Sequence, residues 1–198
     1  TKMGSLCEEA LALAAKALAN ADGQTAAKIA PIDSEIDQME RTIESLCLKL
    51  LLQQQPVARD LRQISAALKM ITDMERIGDQ ASDIAEIIGF LNGRIGTDAQ
   101  YICQMAVAAM RMVTESVEAY VKRDVAMAEA TIQHDDVVDD LFLKVKESLI
   151  QMISENPKDG EYALDLLMIA KYFERIGDHA TNIAEWVVFS VTGVHEQG

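Results

Sequence analysis

Apolar residues recur along this chain at steps of three and four, the mark of helices that each bury one face. Ile32, Ile36, Met39, Ile43, Leu46 and Leu50 draw one such stripe, which runs to about Gln54. Leu61, Ile64, Leu68, Ile71 and Met74 draw the next, which runs to about Leu91. An Ala/Leu-rich helix precedes both over residues 4–20, and Asp22 offers its side chain as the cap of the second helix. Pro31 lies inside the second pattern and is expected to kink that helix or delay its start. Gln55 ends it, because the residue before Pro56 is pushed out of the α region, and Pro56 itself suits the first turn of a third helix.

The second half reads the same way. Asn92, Gly93 and Gly96 punctuate the middle, and helices are expected over about 98–122, 124–155 and 161–191. Asp124 caps the second of these, and the run from Asn156 and Pro157 to Gly160 ends it. Asp33 and Asp37 match Asp135 and Asp139 at an offset of 102, and Glu75 matches Glu174 at 99, so one turn is about three residues shorter in the second half. Met3 aligns with Met105 on the first offset, so the first helix is expected to lack the opening turn of its counterpart. The expected fold is all-α, about 75% helix or more, as two tandem three-helix bundles: residues 1–95 and residues 96–198.

Composition sharpens this only in part. A core of Ala, Leu, Ile, Val and Met suits helices, with aromatics at 5% and three prolines. The net charge of -14 leaves no basic stripe to neutralise phosphates, so nucleic acid is excluded as a partner and an anionic membrane disfavoured. Cations, or basic patches on a protein, fit better. Cys7, Cys47 and Cys103 stand far apart without metal-ligand spacing and read as buried thiols of a reducing, cytoplasmic environment. No apolar run approaches the ~18 residues that span a bilayer.

The candidate chemistry is acidic. Glu75-Arg-Ile-Gly-Asp79-Gln-Ala-Ser-Asp83-Ile-Ala-Glu86 returns as Glu174-Arg-Ile-Gly-Asp178-His-Ala-Thr-Asn182-Ile-Ala-Glu185, identical at nine of twelve positions. Carboxylates four apart share a helix face and repel by about 0.2–0.5 kcal/mol, so two copies suggest a positive charge between them, an arginine or a metal ion. Asp37 lies as far before the turn near Pro56 as Glu75 lies beyond it, which brings both acidic pairs to similar height in antiparallel neighbours. The first expected metal site is therefore Asp33, Asp37, Glu75 and Asp79, with Asp83 one turn further. The second is Asp135, Asp139, Glu174 and Asp178, with Asn182 one turn further. Such shells favour ferric iron, magnesium or calcium, with zinc admitted. Gly78 and Gly177 each cost their helix about 1 kcal/mol relative to alanine, which suggests close approach of a helix or ligand. Arg76 and Arg175 are expected to pair with carboxylates across the bundle, and His179 to lie on exposed helix surface. No nucleophile–base arrangement, P-loop or dinucleotide fingerprint is present, so no enzyme is expected. The rival reading is a carboxylate-bridged metalloenzyme or metal-storage bundle, but the Glu-x-x-His pairs of such sites are missing.

The chain resembles the PhoU family. The resemblance is carried by Gln54-Gln-Pro56-Val-Ala-Arg-Asp60-Leu-Arg62, by Asp73-Met-Glu75-Arg-Ile-Gly-Asp79, by Phe173-Glu174-Arg-Ile-Gly-Asp178-His-Ala-Thr-Asn182, and by Val191-Thr-Gly193. It implies two three-helix PhoU bundles, often dimeric, whose E/DxxxD motifs bind multinuclear iron or zinc. It also implies a cytoplasmic regulator that restrains phosphate uptake and the phosphate-starvation response. The partners so implied are a Pst-type phosphate ABC transporter and a sensor histidine kinase.

Overall fold

The structure, a computed structural model, describes residues 1–54, 56–91, 93–94 and 99–194. Expectations at Gln55, Asn92, Gly96, residue 98 and His195 lie outside them. The helices are α1 (Lys2–Asn20), α2 (Gly23–Ala26), α3 (Ile29–Gln54), α4 (Ala58–Phe90), α5 (Gln100–Lys122), α6 (Val125–Gln133), α7 (Asp135–Glu155) and α8 (Gly160–Thr192). Helix makes up 91% of the structure. Taken with their short lead-in helices, α1, α3 and α4 form one three-helix bundle, and α5, α7 and α8 form the other.

The turn from first to second helix is built twice in the same way. Ala21 and Arg123 both end their helix in the left-handed region, at φ 53° and φ 57°. Each is followed by an aspartate that caps the next helix. Asp22 Oδ1 accepts from the Gln24 and Thr25 amides at 2.9 and 3.2 Å, and Asp124 Oδ1 accepts from the Met127 amide at 3.0 Å. The second helix of each unit is interrupted, where the apolar stripe predicts continuity. In the first unit the break falls at Ala27 and Lys28, which leaves Pro31 in the opening turn of α3. No intrahelical bond is asked of a proline there. The second unit breaks at His134 without a proline, and the His134 amide is shared between the carbonyls of Ala130 and Thr131.

One apolar core runs through both units. α4 and α8 pack along each other as the central pair, and α1 packs against α5. Ala10, Ala14 and Ala17, fully buried on α1, let its neighbours approach closely around Leu11 and Leu18. Phe173 on α8 is a large side chain fully buried at the centre. The stripe of α3 does not hold to its end: Leu46 is exposed and Leu50 half-buried, because no third helix covers the last turns of α3. Among the described residues no helix is long and apolar enough to cross a membrane.

Candidate metal centres

The glycine of each repeated motif seats an aspartate from the facing helix. A Cβ at Gly78 on α4 would stand 2.7 Å from Asp33 Oδ1 and 3.0 Å from Ile36 Cδ1 of α3. At Gly177 on α8 the same atom would stand 3.0 Å from Asp135 Oδ1 of α7. The aspartate thus reaches the α4 or α8 surface because no side chain blocks it. Gly78→Ala is expected to lose about 1–2 kcal/mol, the helix-propensity gain of alanine being outweighed by overpacking. Gly89 is the control: it lies on the same helix, and a Cβ there would meet nothing within 4 Å. Gly89→Ala is expected to gain about 0.5–1 kcal/mol. Urea unfolding of the pair measures both, and equal gains would deny the close approach any importance.

Around that contact the first cluster assembles. Asp33, Asp37 and Asp79 each present one carboxylate oxygen, all within 4.8 Å of one another. Ser82 Oγ donates to Asp33 Oδ2 at 2.8 Å, leaving Asp33 Oδ1 and Asp37 Oδ1 buried without a hydrogen-bond partner. Burial first, and then the neighbouring carboxylates, push Asp33, Glu75 and Asp79 above the ordinary range. Glu40, one turn on from Asp37, is raised by burial and by Glu44 and Asp37, and it acts on Glu75 in turn. Glu40 therefore belongs to this cluster. Its spacing of three from Asp37 was the signal in the sequence that could have found it.

The second cluster repeats the plan with two changes. Asp135 is pushed up to about 6 by burial and then by Asp178, Asp139 and Glu174, and its Oδ1 is also buried without a partner. Asp139 and Asp178 are raised by burial and then by Glu174. Lys171, however, forms an ion pair with Glu174 and sits 5.4 Å from the centre of the Phe142 ring. At the stated offsets, Phe142 stands where the first unit has Glu40, and Lys171 where it has Thr72. Among the described residues only the first cluster brings three ligand atoms within 4.8 Å.

Carboxylate oxygens buried without a partner beside other carboxylates are what a cation would relieve. Both clusters fit a hard ion, since every donor is a carboxylate oxygen. Asp83 acts on Asp33 and Asp79 at longer range, and its charge raises the Tyr172 hydroxyl after burial does. Asn182 donates its side-chain amide to Asp73 Oδ1 at 3.1 Å.

Two expectations are corrected. His179 is buried, 8% exposed, with Nδ1 2.9 Å from Asp73 Oδ1 on α4. Its position faces the seam between α4 and α8, as does that of its counterpart Gln80, which is also buried. Arg76 and Arg175 are exposed, and neither forms a salt bridge among the described residues. Arg76 only lowers Glu75 and Asp79 from a distance. A groove of about 890 Å³ lies away from both clusters, between α5 and α7, with Val107, Ala108, Val137 and Leu141 along it. None of the clustered carboxylates lines it.

The family model of the PhoU domain matches residues 1–88 and again 102–187. A Clostridium acetobutylicum protein named phosphate-specific transport system accessory protein PhoU homolog is 37% identical over 194 residues, covering 97% of this chain and 89% of its own. The crystal structure of PhoU from Pseudomonas aeruginosa superposes with a TM-score of 0.94 at 34% identity, over 98% of this chain and 93% of that one. That of the phosphate transport system regulatory protein PhoU from Streptococcus pneumoniae gives 0.89 at 26% identity, over 99% and 93%.

Proposed function

Because this chain belongs to the PhoU family, we propose that it is an accessory regulator of phosphate transport that works by protein contact and not by catalysis. It restrains phosphate uptake and the phosphate-starvation response at the cytoplasmic face of the membrane, as a homodimer. Its partners are a Pst-type phosphate ABC transporter and a sensor histidine kinase. The observation that supports this reading is the likeness, over nearly the whole chain and in both repeats, to proteins named as accessory to the phosphate-specific transport system.

Metal belongs to the same proposal. Asp33, Asp37, Glu40, Glu75 and Asp79 hold one centre, with Asp83 at its edge. Asp135, Asp139, Glu174 and Asp178 hold the other. The buried, unpartnered oxygens of Asp33, Asp37 and Asp135 support it. Iron is the ion that best joins the carboxylate donor set to the family resemblance; magnesium and calcium suit the donors, and zinc suits them less. A bound cation supplies charge and not chemistry: it lets the clustered carboxylates ionise together and so ties α3 to α4 and α7 to α8. Any partner that prefers the tied state is then coupled to the metal, and the coupling is reciprocal.

Disrupting the chain in its host tests the regulatory reading. A coupling of ~1–3 kcal/mol moves a partner's equilibrium about 5–150-fold. Phosphate-responsive genes are therefore expected to stay on when phosphate is plentiful, and uptake to run unrestrained. Normal phosphate regulation in the disrupted strain overturns the proposal.

A further inference from the structure

The tip where α3 ends and α4 begins is apolar on its outside. Leu46, Leu48, Leu52, Val57 and Leu61 are all exposed, Leu52 at 84% and Val57 at 72%. Large aliphatic groups concentrated at one projecting end are the kind of surface that marks an interface. The charge there also runs against the rest of the molecule. Residues 46–70 carry Lys49, Arg59, Arg62 and Lys69 against the single acid Asp60, in a chain of net charge -14. The matching tip of the second unit, residues 148–170, carries only Lys158 against Glu155, Asp159, Glu161 and Asp165. Exposed apolar groups recur there, at Ile150, Leu164 and Met168, so it is the basic charge, and not the apolar exposure, that is specific to the first tip.

Arg62 is partly committed. It lies against Gly193, the left-handed cap of α8, where the carbonyl end of the helix favours a cation. Lys49, near the end of α3, and Arg59, in the first turn of α4, are exposed.

We propose that this tip docks a partner protein through an apolar cleft rimmed by aspartate and glutamate. Stable interfaces combine an apolar centre with a polar rim and favour arginine, which is the composition found here. The charge decides the occupant. An acidic surface is drawn to this tip and repelled by most of the remaining chain, so the sign reversal orients the encounter as well as strengthening it. Lipid fits worse. Residues 46–70 contain no aromatic side chain to anchor at a bilayer interface, and the rest of the chain is repelled by anionic headgroups. A second copy meeting tip to tip would oppose like charges. The inference concerns a surface and goes beyond the phosphate reading, on which it does not depend.

The test is a photo-cross-linking amino acid placed at Leu52 in the full chain, in host cells, with one at exposed Glu129 as control. The captured peptides are sequenced by mass spectrometry. The expected result is an adduct to another protein, through a segment that sets aspartate or glutamate beside apolar residues. Lys49→Glu together with Arg59→Glu is expected to cut its yield about tenfold or more. Lysine in place of the captured acidic residues is expected to restore it. Circular dichroism establishes that the charge-reversed chain is folded. An adduct to lipid, an adduct to a second copy, a yield no higher than at Glu129, or a yield indifferent to charge reversal each overturns the proposal.

Discussion

Asp73→Ala is expected to lower the unfolding free energy by about 2–5 kcal/mol, the cost of leaving one buried and one half-buried polar group without their acceptor. Asp73 is 7% exposed and holds two groups of the other repeat through one oxygen, His179 Nδ1 at 2.9 Å and Asn182 Nδ2 at 3.1 Å. Without it, buried His179 and half-buried Asn182 lose the acceptor that faces them on α4. For a chain of this length the loss corresponds to a drop of roughly 4–20 °C in Tm. Asp73→Asn keeps an acceptor for the Asn182 amide and is expected to do less harm. The seam has an unlike twin, which makes the comparison informative. Tyr172, the counterpart of Asp73, is acted on by Asp83, the counterpart of Asn182. Thermal and urea unfolding measure the effect, and a loss below about 1 kcal/mol would mean that this contact does not hold the repeats together.

Titrating iron into chelator-treated protein is expected to fill the first centre before the second. Both sites offer buried carboxylates, but they differ by one acid and one base. Glu40 adds a negative charge to the first, while Phe142 replaces it in the second and Lys171 already pairs with Glu174. An ion entering the second centre must displace that lysine. Lys171→Thr, which restores the first unit's residue, is expected to tighten the second site about tenfold, equivalent to about 1.4 kcal/mol. Each site filled at a thousandfold excess over its Kd adds about 4 kcal/mol to stability. Glu174→Ala together with Asp178→Ala is expected to remove the second site and leave the first intact. Calorimetry and elemental analysis decide. Equal affinities in the unaltered chain would make the lysine irrelevant, and unchanged stoichiometry in the double variant would remove these residues from the site.

The same carboxylates give the metal-free protein an unusual pH dependence. Asp135 is raised from the model-compound value of 3.8 to about 6, first by burial and then by its acidic neighbours. The folded state therefore holds protons that the unfolded state has released. Stability contributed by the protonated group is fully present below the unfolded value and is lost as pH rises through the folded one. Metal-free protein is thus expected to unfold at higher temperature at pH 5 than at pH 7. The difference is about 0.5–1 kcal/mol once solvent screening at this half-buried site is allowed for. Loading with metal should reverse the order, since the ion competes with the protons. A metal-free protein most stable at pH 7 would contradict the crowding of these groups.

Much of this molecule was legible as pattern. Steps of three and four named the long helices, and the repeated Glu-Arg-Ile-Gly-Asp motif named the two bundles. Counting outward from Pro56 brought Asp37 level with Glu75, because α3 and α4 are antiparallel and rise equally per residue. The glycines announced a close approach, and Asp33 and Asp135 are what approach them. Periodicity states which face of a helix is apolar; it does not state what covers that face. Leu46 belongs to the stripe of α3 and is nevertheless exposed, because no third helix covers the last turns of α3. Lys171 and Phe142 lie 29 positions apart and meet only when α7 folds back on α8. His179 carries no local sign of burial, and its partner Asp73 lies 106 positions away on a helix of the other repeat. A polar residue takes its environment from whatever the packing sets against it, and at the α4–α8 seam only the tertiary structure decided what that was.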